Sequence, residues 1–380
     1  MNRKEVNEIK KLYSPENCPV TRICGCFVDT DKNKKVEMKD AFMSLDEEAQ
    51  FKYFDIFKKT LSGAIGRNLI NMSFPTEQEQ EGGTEHFLME LLKSELTDSE
   101  LVEKFYDKII EAYDYPDNYF IILIHNSYDI PAITKDSLAL EDASEDVYQY
   151  MICSICPIKP SKPGLTYNAS TNTIENSVRS MMVEPPMLGF TFPAFNDRNT
   201  DIHNILYYTK NAKDISSAIT ELVLGLNPPY TASTQKEIFS QMIEESYGND
   251  CGFDKIKSLH TNLTDLIAEK KDEDEPLVLD KFEVKHLLAN SGANAENIET
   301  FEAEYDESIT KDTPILASNI MNKKKFEVKT PDVTIQVAPE KTELINTKLI
   351  DGIPYIMIEM TDAIVVNGIR CLPLAGIEEE

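Results

Sequence analysis

The sequence lacks the short signatures of the common nucleotide-binding and hydrolytic enzymes. It has no G-x-x-x-x-G-K-S/T phosphate loop, no G-x-G-x-x-G fingerprint, no H-E-x-x-H helix and no G-x-S-x-G elbow. Neither pair of nearby glycines resembles a phosphate-binding loop. Gly63 and Gly66 lie toward the end of a predicted helix, and Gly82-Gly83 lies in an acidic loop. These absences count against the large nucleotide-dependent and serine-hydrolase classes.

The chain also has no long apolar run and little positive charge. No stretch approaches the roughly 18 apolar residues of a membrane helix, and the residues from Met1 to Glu5 do not resemble a signal peptide. Acidic residues number 66 against 38 basic ones, a formal charge of −28, which repels phosphate backbones and anionic lipid. We therefore expect a cytoplasmic protein without membrane contact, for which nucleic acid is a disfavoured partner.

The remaining composition is that of a folded globular protein. Hydrophobic residues make up 41% and charged residues 27% of 380 residues, enough for two or three domains with their own cores. Cysteine occurs 7 times, an odd number, and two of the spacings are too tight for ordinary disulfides. Reduced thiols or metal ligands are the expected states.

The hydrophobic patterns predict an α/β (α+β) fold that begins with a mixed-sheet domain over residues 1–210. A strand over Thr21–Asp29 that returns as a hairpin through Val36 and Met38 fits a periodicity of two. A helix from Asp46 and a helix that follows a capping box at Thr97–Glu100 fit a periodicity of three to four residues. Continuous apolar runs predict central strands buried on both faces, at Tyr119–His125, Val147–Cys156 and Gly189–Phe195.

The rest of the chain divides into an acidic helical section, 211–312, and a C-terminal β-hairpin section, 313–380. Possible capping boxes begin at Thr234 and Asp280, and residues 265–309 hold 14 acidic and 4 basic side chains, a local charge of −10. In the final section, alternating apolar residues flank Asp351-Gly352 and Asn367-Gly368, which are typical of two-residue hairpin turns. A small antiparallel sheet is predicted there.

Four segments together resemble a bacterial family defined as a domain of unknown function, DUF4317. They are Thr21–Cys26, Lys59–Gly63, Cys153–Pro157 and Phe192–Arg198. The resemblance extends over nearly the whole chain. It implies a cytoplasmic bacterial housekeeping or accessory role and transfers no catalytic residue.

A shorter resemblance lies in the C-terminal section. Residues 329–335, continuing through the Asp351-Gly352 hairpin, are similar to the end of the nucleoid-associated protein family. This resemblance implies DNA association, which the net charge of −28 opposes.

The cysteines are the first candidates for a site. Cys24 and Cys26 are one residue apart, and Cys153 and Cys156 have the spacing of zinc knuckles and redox pairs, so four thiolates could hold zinc. On regular strands, however, Cys153 and Cys156 point to opposite faces. Three interpretations of these cysteines stay open: packing as small hydrophobic residues, a structural zinc site, and redox chemistry. Packing is favoured, because cysteine is commonly buried in protein cores.

The second candidate is the polar run from Asn196 to His203, directly after an apolar strand. Asp197, Asp201 and His203 offer ligands for a divalent metal, Arg198 could clamp a carboxylate or phosphate, and His125 ends another buried strand. The alternative is structural: the aspartates cap turns or pair with Arg198, and His203 has a satisfied position near a domain edge.

Three functional hypotheses follow. The favoured one is a non-catalytic module that binds another macromolecule, with the acidic helical section and the C-terminal hairpins as docking surfaces and a basic protein as partner. The second is a metal-dependent hydrolase that uses Asp197, Asp201 and His203, with zinc or another divalent metal as cofactor. The third is a protein of the nucleoid-associated type.

Overall fold

The chain folds into two compact units. The structure, a computed structural model, describes residues 1–133, 139–162, 164–176, 180–270, 273–310, 313–321, 325–359 and 364–371. The first unit comprises residues 1–233 and 274–276, and the second comprises residues 234–273 and 277–380. The predicted boundary at 210 falls within the first unit and that at 312 lies outside the described residues, so the three-part division stays a prediction.

The first unit alternates helices with strands. The α-helices in its described residues are α1 (Arg3–Lys11), α2 (Glu47–Thr60), α3 (Thr84–Lys93) and α4 (Ser99–Ala112). Its strands are β1 (Val20–Val28), β2 (Lys34–Ala41), β3 (Leu69–Ser73), β4 (Tyr119–Ile133), β5 (Ala139–Pro160), β6 (Leu165–Asn168), β7 (Thr173–Asn176), β8 (Met181–Val183), β9 (Leu188–Phe192), β10 (Ala194–Asn196), β11 (Asn199–Asp201) and β12 (Asn204–Thr209).

One large sheet organises this unit, in the order β2-β1-β4-β5-β9-β12-β3, with β8 pairing the end of β5. The pairs formed by these strands are antiparallel. The mixed α/β character is confirmed, although we expected a mixed sheet. The difference has a simple cause: a continuous apolar run reports that both faces of a strand are buried, and it carries no information on strand direction.

Helices cover both faces of the sheet, which is why its central strands are apolar throughout. On one face α1 and α2 pack against the even-numbered residues of β4, such as Ile122 and Ile124. On the other face α3 and α4 pack against the odd-numbered residues, such as Ile121 and Leu123. Successive strand residues point to opposite faces of a sheet, so β4 contributes side chains to two separate cores.

The second unit is helical at first and then β. Its helices are α5 (Ala232–Tyr247), α6 (Phe253–Glu269), α7 (Lys281–Asn290), α8 (Ala295–Ser308) and α9 (Ala317–Ile320). Its strands are β13 (Phe326–Lys329), β14 (Thr334–Val337), β15 (Ile345–Ile350), β16 (Ile353–Ile358), β17 (Ile364–Val366) and β18 (Ile369–Cys371). The core lies among the helices and includes Phe239, Leu259, Leu263, Leu288 and Phe301.

The capping predictions differ in outcome. Asp280 forms a capping box with Glu283 at the start of α7, because the Asp280 carboxylate accepts from the Glu283 amide at 2.7 Å and the Glu283 side chain accepts in return. Thr234 does not start a helix, since α5 already begins at Ala232. Because Thr234 lies within the first turn of α5, its capping pattern predicts a helix start that is too late in the sequence.

Among the described residues, the C-terminal strands pair as two-stranded sheets, β13–β14, β15–β16 and β17–β18. Both predicted turns are present, with φ of 50° and 78° at Asp351 and Gly352 and of 47° and 83° at Asn367 and Gly368. Positive φ at both central residues is the geometry of a type I′ hairpin turn. Across the described part of the chain, no helix is long and apolar enough to cross a membrane.

Candidate functional site

The four candidate cysteines do not meet at one point. Cys24 on β1 lies opposite Leu123 on β4, which lies opposite Cys153 on β5. A whole strand therefore separates Cys24 from Cys153, about 10 Å at the usual strand spacing, whereas two sulfurs bound to one zinc ion lie within about 4.6 Å of each other. Cys156 packs in the core on the opposite face of the sheet.

Burial also keeps these thiols protonated. It raises the pKa of Cys24 to about 11 and that of Cys26 to about 12, and it raises the pKa values of Cys153 and Cys156 well above the ordinary value. Metal binding and nucleophilic chemistry both need the thiolate. Among the described residues, no group of three or more His, Cys, Asp or Glu side chains is placed to hold a metal ion. The four side chains act in this structure as small apolar core residues.

The polar run from Asn196 to His203 forms a tight hairpin. Strands β10 and β11 pair antiparallel, and Asp197 and Arg198 occupy the turn with φ of 51° and 57°. Two consecutive positive φ values outside glycine are uncommon, and aspartate tolerates them better than most residues. The turn presents the Arg198 side chain to residues that are remote in sequence.

The guanidinium of Arg198 is occupied by an internal ion pair. Its Nη2 atom donates to Glu8 Oε1 of α1 at 3.0 Å and to the Pro131 carbonyl of β4 at 3.3 Å. Tyr128 Oη donates to the same carboxylate oxygen at 2.9 Å. Arg198 thus fastens the β10–β11 turn to α1 and β4.

Asp201 and His203 also have partners within the protein. The Asp201 carboxylate accepts from Asn196 Nδ2 and Asn204 Nδ2, each at 2.7 Å, and from the His203 amide at 3.1 Å. The ring of His203 pairs with Glu79 through Nδ1 and Oε1 at 2.8 Å, which raises the pKa of the histidine. Asp201 closes the turn, and His203 connects this hairpin to the segment before α3.

His125 lies apart from this hairpin, within the core. Only 1% of its surface is exposed, and its Nδ1 atom pairs with Thr21 Oγ1 at 2.6 Å. Its Nε2 atom is buried without a hydrogen-bond partner, and burial lowers the pKa of the ring. None of its described hydrogen bonds reaches Asp197, Arg198, Asp201 or His203. The structure therefore places the five candidates at two sites.

A different feature appears on the β15–β16 hairpin of the second unit. The strand register puts Thr347 opposite Ile356 and Leu349 opposite Pro354, on the same face as the pair Ile345 and Ile358. We call these six residues the apolar hairpin face. Leu349 is 69% exposed, Ile358 52% and Ile356 38%, whereas Ile345 is buried at the base. No charged side chain belongs to this face.

The hairpin is attached to the unit at its base. Lys257 Nζ of α6 donates to the Ile345 carbonyl at 2.7 Å and to Asn346 Oδ1 at 3.2 Å. Beyond this anchor every residue of both strands is exposed. The sequence predicted an antiparallel hairpin around Asp351-Gly352, and the structure contains it.

The acidic helices α7 and α8 belong to the same unit. Two ion pairs neutralise part of their charge, Lys281 with Asp306 and Lys285 with Glu302. Glu304 is not neutralised: a neighbouring carboxylate, Glu245, raises the pKa of Glu304 by hydrogen bonding and charge repulsion. Excess negative charge is thus concentrated on this part of the second unit.

No curated protein matches the chain. Residues 1–369 match the family described as Domain of unknown function (DUF4317), a match that covers both structural units. It confirms the resemblance carried by the four segments Thr21–Cys26, Lys59–Gly63, Cys153–Pro157 and Phe192–Arg198. The chain therefore belongs to the DUF4317 family.

Proposed function

We propose that the protein is a non-catalytic protein-binding module whose docking surface is the apolar hairpin face of β15–β16. The observation that carries the proposal is the exposure of Leu349, Ile356 and Ile358 on one side of a two-stranded sheet. Exposed contiguous apolar surface on a folded protein is characteristic of interaction sites. The apolar hairpin face therefore has the character of a surface that is covered in a complex.

The physics of small sheets supports the same inference. An isolated two-stranded hairpin is at best marginally stable in water, and it gains stability when a third strand or another surface covers its apolar face. In the described part of the chain, β15 and β16 pair only with each other, so each also has an outer edge with free backbone groups. A partner that packs on the face, pairs with an edge, or does both would supply what the hairpin lacks.

Charge selects the class of partner. The chain carries a formal charge of −28, so a second copy of the chain would be repelled, whereas a basic protein would be attracted. Residues 265–309 carry −10 of this charge, and −8 of it lies in the same unit as the hairpin, since Asp274 and Glu275 belong to the first unit. We therefore assign the face to a basic protein that presents an apolar segment, with electrostatic attraction increasing the association rate.

The placement of the candidate catalytic residues supports binding over hydrolysis. A metal-dependent hydrolase would need Asp197, Asp201 and His203 to turn toward one ion, and Arg198 to be free for substrate. Instead, Arg198 pairs with Glu8 at 3.0 Å and His203 pairs with Glu79 at 2.8 Å. These contacts connect secondary-structure elements of the first unit, which is a structural role.

The test compares the full-length protein with two variants. The first variant, Leu349→Asp with Ile356→Asp, places charge on the apolar hairpin face, and the control, Val36→Asp, places one charge on an exposed strand residue of the first unit. A partner is captured from extract of the source organism, purified, and titrated into each protein by calorimetry. We expect a basic partner whose affinity falls about 100-fold in the double variant and is unchanged in the control.

The salt dependence of partner association and the oligomeric state of the protein provide two further tests. Raising the salt concentration should slow association of the partner, because the attraction between the two charged surfaces is screened. Equal affinities for the double variant and the control would contradict the proposal. A stable homodimer in light scattering that the double variant converts to monomer would likewise contradict it, since the face would then belong to a second copy.

A further inference from the structure

The backbone groups of the β15–β16 hairpin are divided between an inner ladder and two outer edges. In an antiparallel pair, residues directly opposite each other alternately exchange both of their N–H···O bonds and exchange none. The residues that flank a two-residue turn are hydrogen bonded to each other, and here they are Ile350 and Ile353. The next pair, Leu349 with Pro354, therefore exchanges no bonds, and its backbone groups point outward.

Three features of the structure agree with this alternation. Pro354 has no N–H group, so it fits a position whose nitrogen lies outside the ladder. Ile345 lies four residues before Leu349 on the same strand, so its groups also point outward. Its carbonyl accepts from Lys257 Nζ at 2.7 Å, and its N–H group donates to the Thr342 carbonyl. The base of the β15 edge is thus closed by contacts within the unit.

Beyond this base, the β15 edge presents the N–H and C=O groups of Thr347 and Leu349. Both residues are exposed, and among the described residues β15 pairs with no strand other than β16. The opposite edge differs, because Pro354 lies across from Leu349 and supplies no donor there. Proline on an edge strand disfavours pairing with another chain. The exposed half of the β15 edge therefore keeps every donor and acceptor that a further strand would use.

We propose that this edge takes an extended segment of the basic partner as a third, antiparallel strand, an assignment that rests on the proposed function. Thr347 and Leu349 each exchange two bonds with a residue of the added strand. Directly opposite side chains lie on the same face of a sheet, so alternate apolar side chains of the segment widen the apolar hairpin face. A third strand is also what makes such a small sheet stable.

The charges near the edge define the segment further. Lys348 lies between the two edge residues and on the other face of β15, where a neighbouring basic side chain would be repelled. The residues of the segment beside Lys348 are therefore neutral. Its basic residues lie at its ends, where they are attracted by the formal charge of −28 on the chain.

Titration calorimetry of the full-length protein with the peptide acetyl-Lys-Lys-Val-Thr-Val-Thr-Lys-Lys-amide tests this geometry. Two matched peptides of equal charge carry N-methyl groups, one on both valines and the other on both threonines. The valines lie opposite Thr347 and Leu349, so their N–H groups point to β15 and those of the threonines point away. We expect the N-methylvaline peptide to bind about 30-fold more weakly than the N-methylthreonine peptide, because two hydrogen bonds are lost.

Residue-resolved amide exchange gives a second readout. The unmethylated peptide should protect the amides of Thr347 and Leu349 and leave that of Ile356 unchanged, since Ile356 faces the other edge. The proposal would be overturned by no saturable binding of this peptide, by equal affinities of the two methylated peptides, or by protection of Ile356 instead of Thr347.

The double variant Leu349→Asp with Ile356→Asp separates this proposal from the proposed function. If the unmethylated peptide binds the double variant as tightly as it binds the unmodified protein, the apolar hairpin face is not a docking surface and both proposals fail. If the double variant loses the peptide but the two methylated peptides bind the unmodified protein equally, the face is retained and the added strand is rejected.

Discussion

At the residue scale, the buried polar groups of the first unit fall into two kinds. Some belong to complete hydrogen-bond networks, such as Tyr13, whose hydroxyl bonds Tyr150 Oη at 3.0 Å and Asn126 Oδ1 at 3.2 Å. Others, such as the Tyr106 hydroxyl, are buried without a hydrogen-bond partner. Completed networks specify one packing arrangement, whereas an unpartnered hydroxyl carries an uncompensated desolvation cost.

Two tyrosine variants test this distinction. Tyr148 Oη donates to the Pro193 carbonyl at 2.6 Å, so Tyr148→Phe should lower the free energy of unfolding by about 1–2 kcal/mol, because the carbonyl loses its donor. Tyr106→Phe removes a hydroxyl that has no partner and should leave the free energy of unfolding unchanged or raise it by up to about 1 kcal/mol. Urea denaturation measures both values. A larger loss for Tyr106→Phe than for Tyr148→Phe would contradict the assignment.

His125 gives the stability a defined pH dependence. Burial lowers its pKa in the folded protein below the ordinary value, so the unfolded chain takes up a proton first as the pH falls. Its stabilising contribution is therefore complete above about pH 6.5 and decreases below it, by at most about 1.4 kcal/mol per pH unit. His125→Gln should thus lose less acid stability than the unmodified protein when urea denaturation is repeated at about pH 7.5 and 5.5.

His203 provides a control of opposite sign. Glu79 raises the pKa of His203, so the ion pair contributes below the ordinary pKa and its contribution is lost as the pH rises through the folded-state value. His203→Gln should therefore destabilise the protein more at low pH than at neutral pH. If both histidine variants shifted the acid profile in the same direction, the account of His125 would be wrong.

At the scale of the element, the sequence predicted the strands and turns that depend on residues close together in the chain. The hairpin turns at Asp351-Gly352 and Asn367-Gly368 are in the structure where the sequence indicated them. Strand β4 begins at Tyr119 as predicted, but it continues to Ile133, so the prediction that His125 ends the strand was wrong. Helix starts were less certain because neighbouring residues compete for the cap. We predicted a capping box that begins at Thr97, but the cap of α4 is Asp98, which accepts from the Glu100 and Leu101 amides. The Thr97 hydroxyl donates instead to the Ser94 carbonyl at 2.6 Å.

A pair of variants distinguishes the two cap assignments. Asp98→Ala should lower the free energy of unfolding by about 1 kcal/mol, because it removes an N-cap acceptor and a negative charge from the positive end of the helix dipole. Thr97→Ala removes an exposed hydrogen bond to a carbonyl and should cost no more than about 0.5 kcal/mol. Thermal and urea unfolding measure both changes. A larger effect of Thr97→Ala would restore the capping box.

The candidate site could be predicted only in part, because its residues contact partners that are far away in the sequence. The run from Asn196 to His203 was correctly identified as a polar segment after an apolar strand, and its turn residues are those of a hairpin. Its partners, Glu8 and Glu79, are separated from it by more than a hundred residues, and no local pattern links them. The separation of the cysteines likewise depends on strand order, which spacing along the chain does not determine.

At the scale of the whole molecule, the two units differ in how completely they bury their apolar residues. The sheet of the first unit is covered on both faces by its own helices. In the second unit the helices share an apolar core, but β15 and β16 expose every residue except Ile345, and most of these residues are apolar. Alternation in the sequence predicted strands with an apolar face, but it could not show that nothing in the described chain covers this face.

Hydrogen–deuterium exchange across residues 345–358 tests the central claim most directly. In the free full-length protein the amides of this hairpin should exchange much faster than those of β4, because an uncovered two-stranded sheet opens readily. After addition of the purified basic partner, the same amides should become protected while exchange in β4 is unchanged. Slow exchange of residues 345–358 in the free protein at low concentration, or no added protection in the complex, would contradict the claim that this hairpin is a docking surface.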